Sequence, residues 1–165
     1  MGPWVCLRKY KVHAIDETAA FLTWMVQQLQ GKPHFEGLSG RTYDVKHAYK
    51  QFGIAVDDRE LVRLAVRSPI DHKVSLFGVD SLPFGASGSV GFLRISLAVW
   101  HVGLFVFRLP WTAYFYDYTI FSRNLLVSNA SKTVDNLFDL LGIEVAREGS
   151  KASGFRSSLR VWGSK

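Results

Sequence analysis

Two aspartates stand at points where the chain is predicted to change direction. Asp44 ends the strand-like stretch "RTYD", and Asp117 is the one acid in the aromatic and β-branched run "TAYFYDYTIF". That run predicts a strand, a turn and a second strand. Carboxylates at the ends of adjacent strands are the hard oxygen ligands that Mg²⁺ prefers in phosphoryl-transfer sites. The pattern alone favours a simpler interpretation, in which each acid only caps a turn.

Other motifs that carry chemistry are missing from the sequence. It has no phosphate-binding glycine loop, no G-x-S-x-G nucleophile turn and no H-E-x-x-H zinc motif. The five histidines show no ligand spacing, so each is predicted to lie at the surface or in packing. The single cysteine, Cys6, excludes an intramolecular disulfide and indicates a reducing compartment.

Composition predicts one folded domain with a core, because 48% of the 165 residues are hydrophobic and 21% are charged. The formal charge of +6 favours a polyanionic partner such as nucleic acid. The start of the chain lacks the apolar region of a signal peptide, and the longest apolar run, residues 95–107, is too short to span a bilayer. We therefore expect an intracellular protein, cytoplasmic or nuclear, without a membrane partner.

Hydrophobic periodicity predicts an α+β protein with a largely antiparallel sheet. Helices are expected over residues 16–30, over residues 89–107 as a buried core helix, and from an N-cap at Ser131 to a C-cap at Gly142. Hairpins are expected in "ELVRLAVRSPIDHKVSLFGV" and in "WTAYFYDYTIFS". These elements interleave without regular βαβ alternation, which is typical of α+β folds.

Several blocks, in their order along the chain, resemble the motifs of reverse transcriptases. "YDVKHAY" is similar to the first palm motif, "LPFGAS" to the loop before the long palm helix, and "YFYDY" to the aromatic-x-Asp-Asp hairpin. "GSK" and "LRVWGS" resemble the later lysine motif and the primer-grip hairpin, and "KVHAIDE" resembles the end of the fingers. The resemblance covers residues 11–163 and is closest to the enzymes of retroelements. It implies a palm, with an antiparallel sheet, helices packed on one of its faces, partial fingers and no thumb.

The resemblance divides the chain into a remnant of fingers or leader at residues 1–40, a palm at 41–150 and a primer-grip-like hairpin at 151–165. It implies that Asp44, Asp117 and the carbonyl of Val45 hold Mg²⁺ or Mn²⁺ in an active enzyme. Lys151 would act near the departing pyrophosphate. The expected nucleotide-binding residues are Lys46, His47, Ala48, Tyr49, Phe84 and Gly85, with Tyr49 as the steric gate against a 2′-hydroxyl.

One position departs from the family pattern. Tyr116 stands where the first of the paired aspartates is expected. A phenol with a pKa near 10 is neutral at pH 7 and binds Mg²⁺ poorly, so activity is expected to be weak or absent. The expected partners are an RNA or DNA template-primer and a deoxynucleoside triphosphate, and another chain would be one source of the missing fingers and thumb.

Two alternatives keep the residues and drop the chemistry. One is a palm-like module that only binds nucleic acid or serves as a scaffold. The other is a small basic α+β interaction protein outside the family, whose acids cap turns.

Overall fold

Helices interleave with short antiparallel strands, which confirms the α+β prediction. The computed structural model describes residues 15–83, 91–147 and 154–157. Its elements are α1 (Ile15–Leu29), β1 (Leu38–Asp44), β2 (Arg63–Arg67), β3 (Val74–Gly78), α2 (Phe92–Phe105), β4 (Trp111–Tyr114), β5 (Asp117–Arg123) and α3 (Val127–Leu141). The chain divides into two compact units, residues 1–46 with 93–165 and residues 47–92. No helix in the described ranges is long and apolar enough to cross a membrane.

A three-stranded antiparallel sheet with the order β1-β5-β4 organises the first unit. β4 and β5 form the hairpin predicted from "TAYFYDYTIF", with Tyr114 opposite Asp117. β1 pairs with β5 along its whole length, from Leu38 opposite Arg123 to Asp44 opposite Asp117. The strand that begins at Asp117 is therefore the central one.

An aromatic core lies under one face of this sheet. The rings of Tyr43, Trp111 and Tyr118 are buried, and their centroids lie 5.3 to 6.2 Å from that of Phe138 in α3. The Tyr118 hydroxyl donates to the carbonyl and the hydroxyl oxygen of Ser96 in α2, at 3.2 and 3.0 Å. Burial raises the pKa of Tyr118 to about 12, so this donor stays protonated at neutral pH. The core thus fixes β1 and β5 side by side.

Close contact between α2 and β4 depends on a glycine. The indole N–H groups of Trp100 and Trp111 each donate to the other residue's carbonyl, at 2.9 and 3.0 Å. A Cβ added to Gly103 would lie 1.9 Å from Cζ2 of Trp111. No side chain larger than hydrogen fits there without displacing the tryptophan.

The other face of the sheet is contacted by α1. Side chains alternate along a strand, so Asp117 and Thr119 of β5 share this face with Phe121. The ring of Phe21 in α1 lies 6.3 Å from that of Phe121. The prediction that helices pack on one face holds for α2 and α3 but is wrong for α1.

The third helix begins earlier than its sequence pattern predicts. α3 starts at Val127, so Ser131 lies inside the helix, where its hydroxyl accepts a hydrogen bond of 2.7 Å from Nη1 of Arg41. The predicted N-cap at Ser131 is therefore wrong. The predicted C-cap is confirmed, because Gly142 adopts a left-handed conformation with φ 66° and its N–H bonds the last turn.

The second helix is not the buried core helix that the sequence predicts. Only Ser96, Val99 and Gly103 of the described α2 side chains are buried. The outer side is apolar and exposed, with Phe105 58% exposed and Val106, just after the helix, 68% exposed. Continuous hydrophobicity predicts burial on all sides, but the sheet covers only one stripe of α2.

The second unit contains the other predicted hairpin. β2 and β3 pair antiparallel, from Arg63 opposite Gly78 to Arg67 opposite Val74. The N–H of Ser68 donates to the carbonyl of Lys73 at 2.9 Å and closes the connecting turn. Every residue of both strands is exposed.

Candidate functional site

Asp44 and Asp117 face each other across adjacent strands. They are direct partners in the β1–β5 register. The N–H of Val45 donates to the carbonyl of Tyr116 at 3.1 Å, and the carbonyl of Asp44 accepts from Ala146 on the other side of β1. The two aspartates therefore form the non-hydrogen-bonded type of antiparallel pair, in which the Cα atoms are about 4.5 Å apart and side chains lie closest. Both carboxylates extend from the same face of the sheet.

The surroundings of this pair are polar on the same face. Asp117 is 7% exposed and Asp44 is half-buried. Thr42 and Thr119 form the next residue pair on the same face of the sheet, and their hydroxyl oxygens lie 3.1 Å apart. Like charges placed directly opposite each other on a sheet are destabilising unless a cation or hydrogen bonds compensate them. The aspartate pair and the threonine pair thus form a polar strip that starts at the hairpin tip.

The turn beside the pair carries backbone strain. Only Phe115 and Tyr116 connect Tyr114 to Asp117, so the hairpin has a two-residue loop. Phe115 has φ 53°, a left-handed conformation that glycine or asparagine adopts more readily than a bulky residue. Tyr116 is half-buried and sits beside the pair, and its phenol adds no carboxylate.

The next two predicted residues follow Asp44 directly. Val45 is buried and forms an isolated β-bridge with Val145. The N–H of Val45 points toward Tyr116. Because the N–H and C=O groups of one residue in an antiparallel strand point to the same side, the carbonyl of Val45 also points toward the β4–β5 hairpin. Lys46 is exposed, and its N–H donates to the carbonyl of Glu144 at 2.9 Å. The Lys46 side chain lines a cleft of about 410 Å³ that Arg147 also borders.

The remaining predicted nucleotide-binding residues are spread over other parts of the chain. His47 has φ 52° and precedes the 3₁₀ helix Ala48–Gln51 of the second unit. In that helix Ala48 is buried and Tyr49 is half-buried. Phe84, Gly85 and Lys151, together with most of the predicted primer-grip hairpin, lie outside the described residues.

A fragment of the predicted C-terminal strands joins the sheet next to the site. Residues 154–157 are described, and Arg156 bridges Gly40, with its N–H donating to the Gly40 carbonyl at 2.9 Å. Gly40 in turn donates to the Arg156 carbonyl at 2.9 Å. β1 therefore has a further chain segment along the edge that faces away from β5.

Two carboxylates on one sheet face can hold one hard cation. Mg²⁺ is commonly bound through one or two carboxylates, with water and substrate phosphate completing six ligands. Among the described residues, no group of three or more His, Cys, Asp or Glu side chains could hold a metal ion. The donor set therefore fits a single divalent ion better than a pair of ions that share three acids.

The structure adds residues that the sequence patterns did not single out. Thr42 and Thr119 belong to the polar strip, and Tyr43 beneath it supports the strand that carries Asp44. Burial raises the pKa of Tyr43, which keeps its hydroxyl neutral in the core. The signal that could have found Thr42 is strand alternation, since it precedes Asp44 by two positions and so shares its face.

No protein-family model matches this chain. No curated protein matches it either.

Proposed function

We propose that this chain is a reverse-transcriptase palm domain derived from a retroelement. The ancestor would have carried out template-directed nucleotidyl transfer, and this chain would have weak or no activity. The observation that carries the proposal is the register of the sheet, which sets Asp44 directly opposite Asp117 at the tip of a two-residue hairpin. A polymerase palm requires acids from two distant motifs on neighbouring strands, and the motif order in the sequence is the one expected for such a palm.

The support from the fold is the position of each motif. The strand of the first motif, β1, lies beside the hairpin of the second, β4–β5, although 73 positions separate Asp44 from Asp117. α2 follows "LPFGAS", as the long palm helix would, and its Ser96 anchors the central strand through Tyr118. Independent motifs that only cap turns would not need to meet in space.

The metal requirement is met only in part. Asp44, Asp117 and the carbonyl of Val45 would hold Mg²⁺ or Mn²⁺, which supplies charge stabilisation for phosphoryl transfer when bound. Tyr116 stands where the third acid is expected, so less negative charge is available to bind a second metal ion. Losing one charged group from such a site typically reduces rate by several orders of magnitude, which is the reason for proposing weak or absent activity.

The proposed substrates follow from the same resemblance. Lys46, His47 and Ala48 would line the path of the triphosphate, and Tyr49 would lie under the sugar of a deoxynucleoside triphosphate. Lys151 would neutralise the departing pyrophosphate. The template-primer would be RNA or DNA, attracted by the formal charge of +6.

A second candidate is a palm-like module that binds nucleic acid without catalysis. Tyr116 is the observation that favours it, because a phenol beside Asp44 and Asp117 disables two-metal chemistry while the formal charge of +6 still attracts a polyanion. In this case the fold would serve as a scaffold for RNA or DNA. Binding would weaken steeply with salt, as it does for proteins that neutralise phosphates.

Primer extension with Tyr116→Asp separates the two. The wild type is assayed on an RNA template with a DNA primer in Mg²⁺ and in Mn²⁺, beside Tyr116→Asp and the double variant Asp44→Asn/Tyr116→Asp. Restoring the acid should raise extension at least about a hundredfold above the wild type, the scale of one charge-stabilising group in an active site. Asp44→Asn in the restored background should return extension to the background level.

The matched control is Ile70→Asp, which adds an acid to an exposed turn of the β2–β3 hairpin, away from the aspartate pair in sequence and in strand pairing. It should not raise extension. If Tyr116→Asp stays at background while it still folds and binds a template-primer, the catalytic ancestry loses its support and the binding module is favoured. Extension by the wild type that survives Asp44→Asn would also contradict the proposed site.

A further inference from the structure

The β2–β3 hairpin of the second unit has an edge strand suited to self-pairing. Its sheet has only two strands, and an isolated two-stranded hairpin is marginally stable in water. Every residue in both strands is exposed, including Leu76 at 69% and Val74 at 62%. Within the described ranges, the backbone of Val74–Gly78 has no strand on its outer side. We propose that this edge pairs with the same edge of a second copy of the chain, antiparallel, to give a four-stranded sheet.

Charge distinguishes the two edges of the hairpin. β2 carries Arg63 and Arg67, whereas β3, "VSLFG", carries no charged residue. Charged side chains are the usual protection of an edge strand against pairing, and β3 lacks them. If β2 paired antiparallel with β2 of a second copy, centred on Ala65, Arg63 of each copy would lie opposite Arg67 of the other. The like charges in these two pairs would repel each other and disfavour the pairing. β3 is therefore the edge that is open to a partner.

The occupant that fits β3 best is its own copy. Centring the pairing on Leu76 sets this residue opposite itself and Ser75 opposite Phe77, without any like-charged pair. The same register brings Lys73 of one copy to the end that carries Asp80 of the other. Each charge is already paired within its own copy, Lys73 with Asp71 and Asp80 with Arg59, both at 3.8 Å, so no unpaired like charges meet there. A pairing of one edge with itself also closes after two copies, whereas pairing β3 with β2 of the next copy would continue into a fibre.

The size of the contact predicts a weak dimer. Two strands of five residues bury less than the roughly 1,200 Å² that stable interfaces need. Association should therefore be reversible and should depend on concentration in the micromolar to millimolar range. Leu76 at the centre and the outward-facing backbone groups of Val74, Leu76 and Gly78 supply the contact, because Ser75 and Phe77 direct theirs toward β2.

The first experiment is sedimentation equilibrium on the full chain over about a hundredfold range of concentration. The wild type should shift from monomer to dimer. Leu76→Lys places two lysines opposite each other at the centre and should abolish the shift. The matched control is Ala65→Lys, which puts the same charge on the residue directly opposite Leu76 in β2, on the same hairpin face. This control should dimerise as the wild type does.

A mixing experiment shows that the effect of Leu76→Lys is not a folding defect. Leu76→Glu alone should also be monomeric, and an equimolar mixture of Leu76→Lys with Leu76→Glu should dimerise again, because opposite charges then meet at the centre. Recovery on mixing is not expected for any contact in which residue 76 does not meet its own copy.

Cross-linking tests the register with a small substitution. In a Cys6→Ser background, Leu76→Cys should form a disulfide-linked dimer under mild oxidant, because facing residues of paired strands have Cα atoms within disulfide range. Ala65→Cys should stay monomeric. A wild type that remains monomeric at all concentrations, equal cross-linking by both cysteine variants, or growth into fibres instead of dimers would each overturn the proposal.

Discussion

Removing one carboxylate from the Asp44–Asp117 pair should have opposite effects on stability with and without a divalent cation. Asp44→Asn is the preferred change, because Asp44 is half-buried and asparagine keeps its shape. In EDTA the variant loses a repulsion between two facing carboxylates. In Mg²⁺ it loses a ligand. The free energy of unfolding should therefore rise in EDTA and should gain less from Mg²⁺ than in the wild type.

Coulomb's law at the separation typical of facing side chains gives the size of the repulsion, and binding linkage gives the size of the gain from Mg²⁺. Two unit charges about 5 Å apart repel by about 0.8 kcal/mol in water and by about 3 kcal/mol at an effective dielectric constant of 20. Solvent reaches Asp44, so we expect the variant to be about 1–2 kcal/mol more stable in EDTA. At a Mg²⁺ concentration about a hundred times its dissociation constant, the wild type should gain about 2.7 kcal/mol. The order of stability should then reverse.

Urea unfolding followed by circular dichroism measures both values on the same samples. Wild type and Asp44→Asn are compared in EDTA, Mg²⁺ and Mn²⁺, and the control is Asp57→Asn, an exposed acid in the second unit. The control should change stability by less than about 0.5 kcal/mol under every condition. A variant that is less stable in EDTA, or that gains as much from Mg²⁺ as the wild type, would refute the pairing of the two carboxylates as a cation site.

Two further predictions concern the core that holds the site in place. Gly103→Ala should lower the free energy of unfolding by about 2–4 kcal/mol, because the added Cβ would collide with Trp111. Its control is Gly91→Ala, which has open space around the added Cβ and should change the free energy of unfolding little. Urea unfolding measures both variants. Tyr118, with its pKa of about 12, should ionise about two pH units above a free phenol in an ultraviolet titration. Because that pKa is raised above the unfolded value near 10, its stabilising effect is present below pH 10 and is lost as the pH rises toward 12. Tyr118→Phe should remove this loss, and a titration of Tyr118 near pH 10 would contradict it.

Local patterns predicted the elements of the site but not their arrangement in space. The strand end at Asp44 and the hairpin around Asp117 follow from alternation and turn chemistry. The pairing of Asp44 with Asp117 could be expected only from the resemblance, because no local pattern fixes the register of strands 73 positions apart. The left-handed Phe115 was also unpredictable, since turn preferences assign that conformation to glycine or asparagine.

The errors in the prediction have a common physical origin, which is tertiary contact. Ser131 has the chemistry of an N-cap, but Arg41 in β1 bonds its hydroxyl and the helix starts one turn earlier. α2 is apolar nearly all round, yet among its described residues only the side toward Tyr118 and Trp111 is covered. Arg41 is distant in sequence from Ser131, and Tyr118 and Trp111 lie outside α2, so the periodicity within each helix could not reveal these contacts.

The central position of β5 determines the order in which the first unit can fold. β4 and β5 are adjacent in sequence, so their hairpin can form within microseconds of leaving the ribosome. Asp44 of β1 is made 73 positions before Asp117, and at roughly 5–20 residues per second β1 waits about 4–15 s for β5, its neighbour in the described sheet. During that interval the sheet edge of β1 is open to chaperones and to other nascent chains. The two aspartates meet only when β1 pairs with β5, so the carboxylate pair reports on the joining of β1 to the β4–β5 hairpin.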